Sequence, residues 1–73
     1  MNNKQIRELM TELSPKPGYV LNLTRKQFEE LVEDATDIDI SESLDSNGKR
    51  LKHLLRSCTE GQIEAIIGAL RAI

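Results

Sequence analysis

The chain is short, close to neutral and nearly free of aromatic residues. It has 73 residues, 3% aromatic residues and a formal net charge of −2. A chain of this length forms one small domain of modest net stability, which leaves no room for an enzyme with a deep cleft. Because Tyr19 and Phe28 are its only aromatic residues, it also lacks the stacking platform of RNA-recognition modules.

The cysteine content and the distribution of apolar residues indicate the cellular setting. Cys58 is the only cysteine, so it cannot form an internal disulfide, and with the single histidine it cannot complete a structural zinc site. No segment approaches the roughly 20 apolar residues of a membrane span, and Met1 leads into a polar amphipathic segment rather than a signal peptide. We therefore expect a cytoplasmic chain with no membrane partner.

The first predicted helix begins at Asn2 or Asn3, either of which can cap it. Its apolar residues recur at helical spacing, and they are Ile6, Leu9, Met10 and Leu13. It ends before residues 14–18, because two prolines and a glycine cannot continue a helix. Residues 19–23 are apolar and extended but have no second strand to pair with. We expect them to form a loop against the core.

Two further helices begin with the same capping sequence. Thr24 is followed three residues later by Gln27, so the threonine can cap a helix while the glutamine bonds back to the backbone of the cap. Thr59 and Gln62 repeat this arrangement. The second helix is expected to bury Phe28, Leu31, Val32 and Ala35. The capping boxes make these the two best-defined helix starts in the sequence.

The last helix, which begins after Thr59, has two apolar sides. One side carries the large residues Ile63, Ile66, Ile67 and Leu70, and the other carries the small residues Ala65, Gly68, Ala69 and Ala72. Since few polar residues remain, we expect this helix to be buried on both sides. The small side would let another backbone approach, either from this chain or from a neighbour.

An acidic, irregular segment separates the second and third helices. It spans residues 36–46, and we expect its apolar residues Ile38, Ile40 and Leu44 to fill the core from a loop or short turn. The third helix begins near Asn47 and Gly48. Its inner face is predicted to contain Leu51, Leu54, Leu55 and Cys58.

Together these patterns predict an all-α fold, a small compact bundle of four main helices with room for a fifth short turn. No second strand and no internal repeat is indicated. We expect residues 1–73 to form a single helical interaction domain. Because the chain ends on the apolar Ile73, we also expect the domain to be the N-terminal part of a longer protein.

The acidic segment partly matches a calcium-binding loop. Asp37, Asp39 and Ser41 stand at the first, third and fifth positions of that pattern. The sixth position, which needs glycine, is Glu42, and the twelfth, which needs a bidentate glutamate, is Gly48. We interpret the segment as a solvated loop whose aspartates cap turns, and we predict no metal site.

No arrangement of residues predicts catalysis. His53 and Cys58 could in principle supply a base and a nucleophile, but their spacing puts them on opposite faces of the third helix. The glycines are isolated, so no phosphate-binding loop is formed. We therefore predict a non-enzymatic protein with no catalytic residues and no cofactor.

The charges are separated along the chain. Eight of the twelve carboxylates lie between residues 29 and 45. The outer face of the second helix is predicted to carry Glu29, Glu30 and Glu33. The outer face of the third helix is predicted to carry Lys49, Lys52, His53 and Arg56, with Arg50 at its edge. Two outward faces of opposite sign cannot fully neutralise each other within one molecule.

Three interpretations of these faces are open. The acidic face of one copy can bind the basic face of another in a heterologous contact, which allows an oligomer or filament. The basic face can instead bind nucleic acid, although the net negative charge disfavours this. The faces can also be two unrelated solvated surfaces. We favour protein–protein interaction, with self or a like helical domain as the partner.

Three short sequences also resemble a known group of domains. They are residues 23–28 (Leu-Thr-Arg-Lys-Gln-Phe), residues 37–40 (Asp-Ile-Asp-Ile) and residues 46–51 ahead of the leucine-rich third helix. They resemble the N-terminal helical modules of bacterial anti-phage and abortive-infection proteins, which are similar to effector-associated, death-like adaptor domains. The resemblance implies a death-fold-like adaptor in antiviral defence that joins proteins through homotypic helical contacts.

Overall fold

The computed structural model describes all of residues 1–73 and contains four α-helices and no strand. The helices are α1 (Asn3–Leu13), α2 (Arg25–Thr36), α3 (Asn47–Ser57) and α4 (Glu60–Arg71). The predicted all-α bundle of four helices is therefore confirmed. In this bundle α2 packs against α4, and α1 packs against α3. None of the four helices combines the length and the apolar character needed to cross a membrane.

Local capping defines where each helix begins. Thr24 and Thr59 both form the predicted capping boxes. Asn2 caps α1 and forms a third box with Gln5, whose side chain accepts a hydrogen bond from the Asn2 backbone N–H at 3.0 Å. The side chain of Ser46 caps α3. These side chains satisfy N–H groups that the first turn of a helix otherwise leaves without partners.

The core is aliphatic apart from one aromatic side chain. Every helix contributes to it, and the loop between α1 and α2 adds Val20, which is completely buried. The twelve buried apolar residues are Ile6, Leu13, Val20, Phe28, Val32, Leu51, Leu54, Leu55, Ile63, Ile66, Ile67 and Leu70. The predicted loop at residues 19–23 is thus confirmed, with Val20 facing inward and Tyr19 remaining exposed.

The start of α3 packs closely against the turn that follows α1. The Gly48 N–H donates a hydrogen bond to the Gly18 carbonyl at 3.3 Å. A Cβ atom at Gly48 would lie 3.2 Å from Ser14 Oγ and 3.3 Å from the Gly18 backbone. Gly18 itself has a positive φ of 83°, which glycine adopts without steric cost. These two glycines therefore allow α1 and α3 to lie side by side.

One loop residue differs from its prediction. Ile38 and Ile40 pack against the core as expected. Leu44, however, is 94% exposed and does not fill the core. The prediction for Leu44 is wrong because Asn47 and Arg50 occupy the interior beside this loop instead.

The small side of α4 also differs from its prediction. Ala65 and Ala69 are half-buried beside α2, but Gly68 and Ala72 are exposed. No atom would lie within 4 Å of a Cβ at Gly68. Within one molecule α4 is therefore buried on its large-residue side and only partly covered on the other.

A salt bridge connects the ends of α1 and α4. The Arg71 guanidinium donates two hydrogen bonds to the Glu12 carboxylate, each 2.8 Å long. These hydrogen bonds hold the pKa of Glu12 below its ordinary value. Both side chains are about half exposed, at 46% and 55%, so solvent screens the pair and it adds little to stability.

Candidate protein-interaction site

The basic surface of α3 is exposed as predicted. Lys49, Lys52, His53 and Arg56 all project into solvent, while the leucines of the same helix are buried. None of the four forms a salt bridge within the molecule, which contains only the Arg50–Glu29 and Arg71–Glu12 pairs. Their charges are therefore free to act on a partner.

A residue of α1 extends this surface. Arg7 lines a cleft between α1 and α3 together with Lys52 and Arg56. Ile6 and Met10 give the cleft an apolar floor, and its volume is about 280 Å³. The sequence shows that Arg7 lies off the apolar face of α1 but not that α1 is the neighbour of α3. The sequence therefore did not predict Arg7 as part of the basic surface.

The acidic surface of α2 is divided into three parts. Glu33 is exposed on the outer side of the helix. Glu30 is exposed beside Asp34 at a groove between α2 and α4. Glu29 turns toward α3 and is only half-exposed. Glu30 and Glu33 form no salt bridge within the molecule, so two of the three predicted glutamates remain free.

Glu29 and Arg50 differ from the prediction that both face outward. The Arg50 Nη1 atom lies 2.9 Å from the Glu29 carboxylate, and their side chains are 1% and 22% exposed. α2 and α3 are thus joined by an ion pair inside one molecule. This pair removes Glu29 from the outward acidic face and Arg50 from the edge of the basic face.

Further hydrogen bonds surround the buried guanidinium. Arg50 Nη2 donates to the Ser43 carbonyl at 2.5 Å, and Nη1 also donates to Asn47 Oδ1 at 3.4 Å. The Asn47 amide in turn donates to the carbonyls of Leu23 and Thr24, each at 3.2 Å. Arg50 Nε alone has no partner. The cluster therefore joins α3 to both loops that flank α2. Arg50 thus stabilises the fold and is not available to a partner.

The groove between α2 and α4 has an apolar floor and an acidic edge. Its volume is about 520 Å³. It is lined by Gln27, Glu30, Leu31, Asp34, Ala35, Ala65 and Ala69. Asp34 was not among the predicted interaction residues, but it lies with Glu30 at the edge of this groove. The acidic surface thus extends toward α4.

The acidic loop uses its side chains for turns. Asp39 accepts a hydrogen bond from the Ser41 backbone N–H at 2.8 Å, and hydrogen bonding from Ser41 lowers the pKa of this carboxyl. Asp37 ends α2 in the left-handed conformation, with a φ of 62°. The interpretation of aspartates at turns is confirmed for these two residues. No group of three histidine, cysteine or acidic side chains is placed to hold a metal ion.

His53 and Cys58 are kept apart, because His53 lies on the outer side of α3 and Cys58 is the extended residue that follows the helix. His53 is exposed, whereas Cys58 is partly buried against the core. The arrangement does not bring the imidazole and the thiol together. His53 therefore belongs only to the basic surface.

Comparisons with known proteins give no match among family models, curated proteins or solved structures. A proposal for the function therefore rests on the two charged surfaces of the molecule. These are an acidic surface at Glu30, Glu33 and Asp34, and a basic surface at Arg7 and the exposed residues of α3, Lys49, Lys52, His53 and Arg56.

Proposed function

We propose that this chain is a non-enzymatic protein–protein interaction module that binds a second copy of itself or a like helical domain. The observation that carries this proposal is the set of exposed charges on α2 and α3. Glu30 and Glu33 have one sign and Lys49, Lys52 and Arg56 have the other, with His53 among these cations, and none has an ion partner in its own molecule.

The helix packing supports a particular kind of assembly for these surfaces. The acidic surface belongs to the α2–α4 pair, and the basic surface belongs to the α1–α3 pair. A contact between the acidic surface of one copy and the basic surface of the next leaves one surface of each sign free. Such a heterologous contact can add further copies and produce an open oligomer or filament.

The charges set the orientation of the contact more than its strength. Exposed ion pairs contribute about 0 to 1 kcal/mol each, and salt screens them. Complementary charge also accelerates encounter and disfavours wrong partners. We therefore infer an association that weakens as ionic strength rises.

The resemblance and the fold together support a proposal for the cellular role. A four-helix, all-α domain is compatible with a death-fold-like adaptor, the type of module that the short sequence resemblances imply. We propose that the domain acts in the cytoplasm, in a bacterial defence-type system. There it would join a longer parent protein to its effector through contacts between like domains.

A charge-exchange experiment tests the interaction. Glu30→Lys with Glu33→Lys should abolish self-association, and so should Lys52→Glu with Arg56→Glu, because each change places like charges at the contact. Mixing the two double variants should restore association, since their altered surfaces are complementary again. Light scattering over a range of concentration and ionic strength measures each of these results.

The matched control is Glu60→Lys with Glu64→Lys. It makes the same change in net charge on exposed positions of α4 and should leave association as in the wild type. Failure of the mixed variants to associate, or equal loss in the control, would contradict a contact between the two surfaces. Absence of self-association in the wild-type domain would contradict the homotypic form of the proposal.

Binding of nucleic acid is the second candidate, and Arg7 favours it. This arginine joins Lys52 and Arg56 around one cleft, so the basic surface covers two helices rather than one. We expect duplex or single-stranded DNA to bind at about 50 mM salt, where counterion release favours association. Fluorescence anisotropy should then show affinity that falls with added salt and is lost on Lys52→Glu. No binding at low salt would remove this candidate.

A further inference from the structure

Leu44 is the most exposed large apolar side chain of the molecule. It is 94% exposed, more than Tyr19 at 60% or Ile73 at 70%. The other apolar residues of the same loop, Ile38 and Ile40, pack against the core. Leu44 is therefore the only apolar residue of the loop that projects into solvent.

The backbone on both sides of Leu44 is held in place. Arg25 donates one hydrogen bond to the Asp45 carbonyl at 2.6 Å and another to the Ser43 carbonyl at 2.7 Å. The buried Arg50 donates a third, also to Ser43, at 2.5 Å. Two arginines thus bind the carbonyl groups that flank Leu44. A side chain presented by a fixed backbone loses less conformational entropy when it binds.

The charges near Leu44 indicate what its binding site must look like. Glu42 and Asp45 lie on either side of it in the sequence, both are exposed, and neither forms a salt bridge. A matching site therefore needs an apolar floor for the leucine and cationic groups at its edge for the two carboxylates.

The cleft between α1 and α3 has both properties. Ile6 and Met10 form its floor, and Arg7, Lys52 and Arg56 lie at its edge. Its volume is about 280 Å³. The groove between α2 and α4 is less suitable, because Glu30 and Asp34 would repel the carboxylates beside Leu44.

We propose that Leu44 of one copy binds in the α1–α3 cleft of a second copy. The contact is between molecules, because the Leu44 side chain is 94% exposed in its own molecule and does not occupy the cleft. This inference rests on the proposed self-association and adds residues 42–45 to the acidic side of the contact. The acidic loop, with its central leucine, forms the complementary surface for Arg7, Lys52 and Arg56. Each bound pair retains one free Leu44 and one free cleft, so the contact can extend into an open chain.

Substitution of the exposed leucine tests the loop side. Leu44→Ser should weaken self-association at least tenfold in light scattering, without a change in the circular dichroism spectrum or in Tm. Ile73→Ser is the matched control, since it also removes an exposed aliphatic side chain but lies outside the loop and the cleft. Association should be unchanged in this control. Equal effects of the two substitutions, or wild-type association of Leu44→Ser, would overturn the proposal.

Charge reversal tests the cleft side. Arg7→Glu should weaken association at least tenfold, because it opposes Glu42 and Asp45 with a like charge. Lys4→Glu is the control, as it is an exposed cation on the same helix that does not line the cleft. If Arg7→Glu and Lys4→Glu associate equally well, Arg7 does not contribute to the binding site and the proposal fails.

Disulfide trapping provides a direct measurement of proximity. In a Cys58→Ala background, which removes the only native cysteine, Leu44→Cys and Met10→Cys chains are purified separately and then mixed under oxidation. A mixed dimer should form rapidly, because a disulfide requires Cβ atoms within about 4.5 Å. Cross-linking no faster than in a mixture of Ile73→Cys and Met10→Cys chains would overturn the proposal.

The results separate this inference from the proposed function. If the wild-type domain does not associate, the homotypic function fails and this contact fails with it. If the wild type associates and the charge-exchange pair is restored on mixing, but Leu44→Ser has no effect, self-association stands and only the Leu44 contact is wrong.

Discussion

Replacement of Glu29 by alanine is expected to lower the free energy of unfolding by about 3 to 5 kcal/mol, because it leaves the Arg50 charge buried without its partner. The Arg50 side chain is 1% exposed and its guanidinium lies 2.9 Å from the Glu29 carboxylate. Its remaining partners are the neutral oxygens of Ser43 and Asn47. These cannot balance a full positive charge removed from water.

Urea denaturation followed by circular dichroism measures this loss. A domain of 73 residues has a total stability of about 4 to 11 kcal/mol, so Glu29→Ala should keep little or no net stability if the wild type lies at the lower end. Glu33→Ala is the control, because Glu33 is exposed on the same helix without an ion partner. It should change the free energy of unfolding by about 0.5 kcal/mol or less. Equal stability of the two variants would show that Arg50 is not a desolvated charge.

A double substitution distinguishes the effect of the unpaired charge from the effect of lost side-chain volume. Glu29→Leu with Arg50→Met removes both charges and keeps apolar bulk, so it should be more stable than Glu29→Ala alone. The Ser43 carbonyl would still lose its hydrogen bond from Arg50. The double variant should therefore fall between the wild type and the single variant.

Phe28→Ala is expected to have a comparable effect through a different cause. Phe28 is completely buried and belongs to the central apolar cluster. Truncating a buried phenylalanine removes its burial and leaves a cavity, which costs about 3 to 5 kcal/mol. The variant should show a large fall in Tm and in the urea midpoint.

The other aromatic residue provides the control for Phe28. Tyr19 is 60% exposed, so Tyr19→Ala should reduce stability by about 1 kcal/mol or less. If Phe28→Ala and Tyr19→Ala unfolded at the same urea concentration, Phe28 would not be packed in the core.

The stability effect of Glu29 changes how the interaction surface should be mutated. Glu29 was predicted to face a partner with Glu30 and Glu33, but it forms the ion pair between α2 and α3. A variant at Glu29 would therefore lose association through unfolding as well as through lost contact. Glu30 and Glu33 are exposed and unpaired, so substitutions there report on binding alone.

Leu44 and Arg50 show why sequence reasoning reached only part of the candidate site. An apolar residue in a loop is usually expected inward and an arginine outward, and both expectations fail in the same region. Arg50 enters the interior because Glu29, Asn47 and the Ser43 carbonyl satisfy its donors. None of these partners is within one helical turn of Arg50 except Asn47, so local spacing could not reveal the cluster.

The amino-acid sequence by itself determined the four helices, the capping boxes at Thr24 and Thr59, the apolar faces and the exposure of Lys49, Lys52 and Arg56 on α3. These depend on interactions within three or four residues, such as the Thr24–Gln27 capping box and the helical repeat of apolar side chains. Only the tertiary structure decided that α1 lies beside α3, that Glu29 is paired, and that Leu44 faces solvent. The physical reason is that helix packing, ion pairing and loop exposure depend on contacts between residues far apart in the chain, such as the pair formed by Glu29 and Arg50.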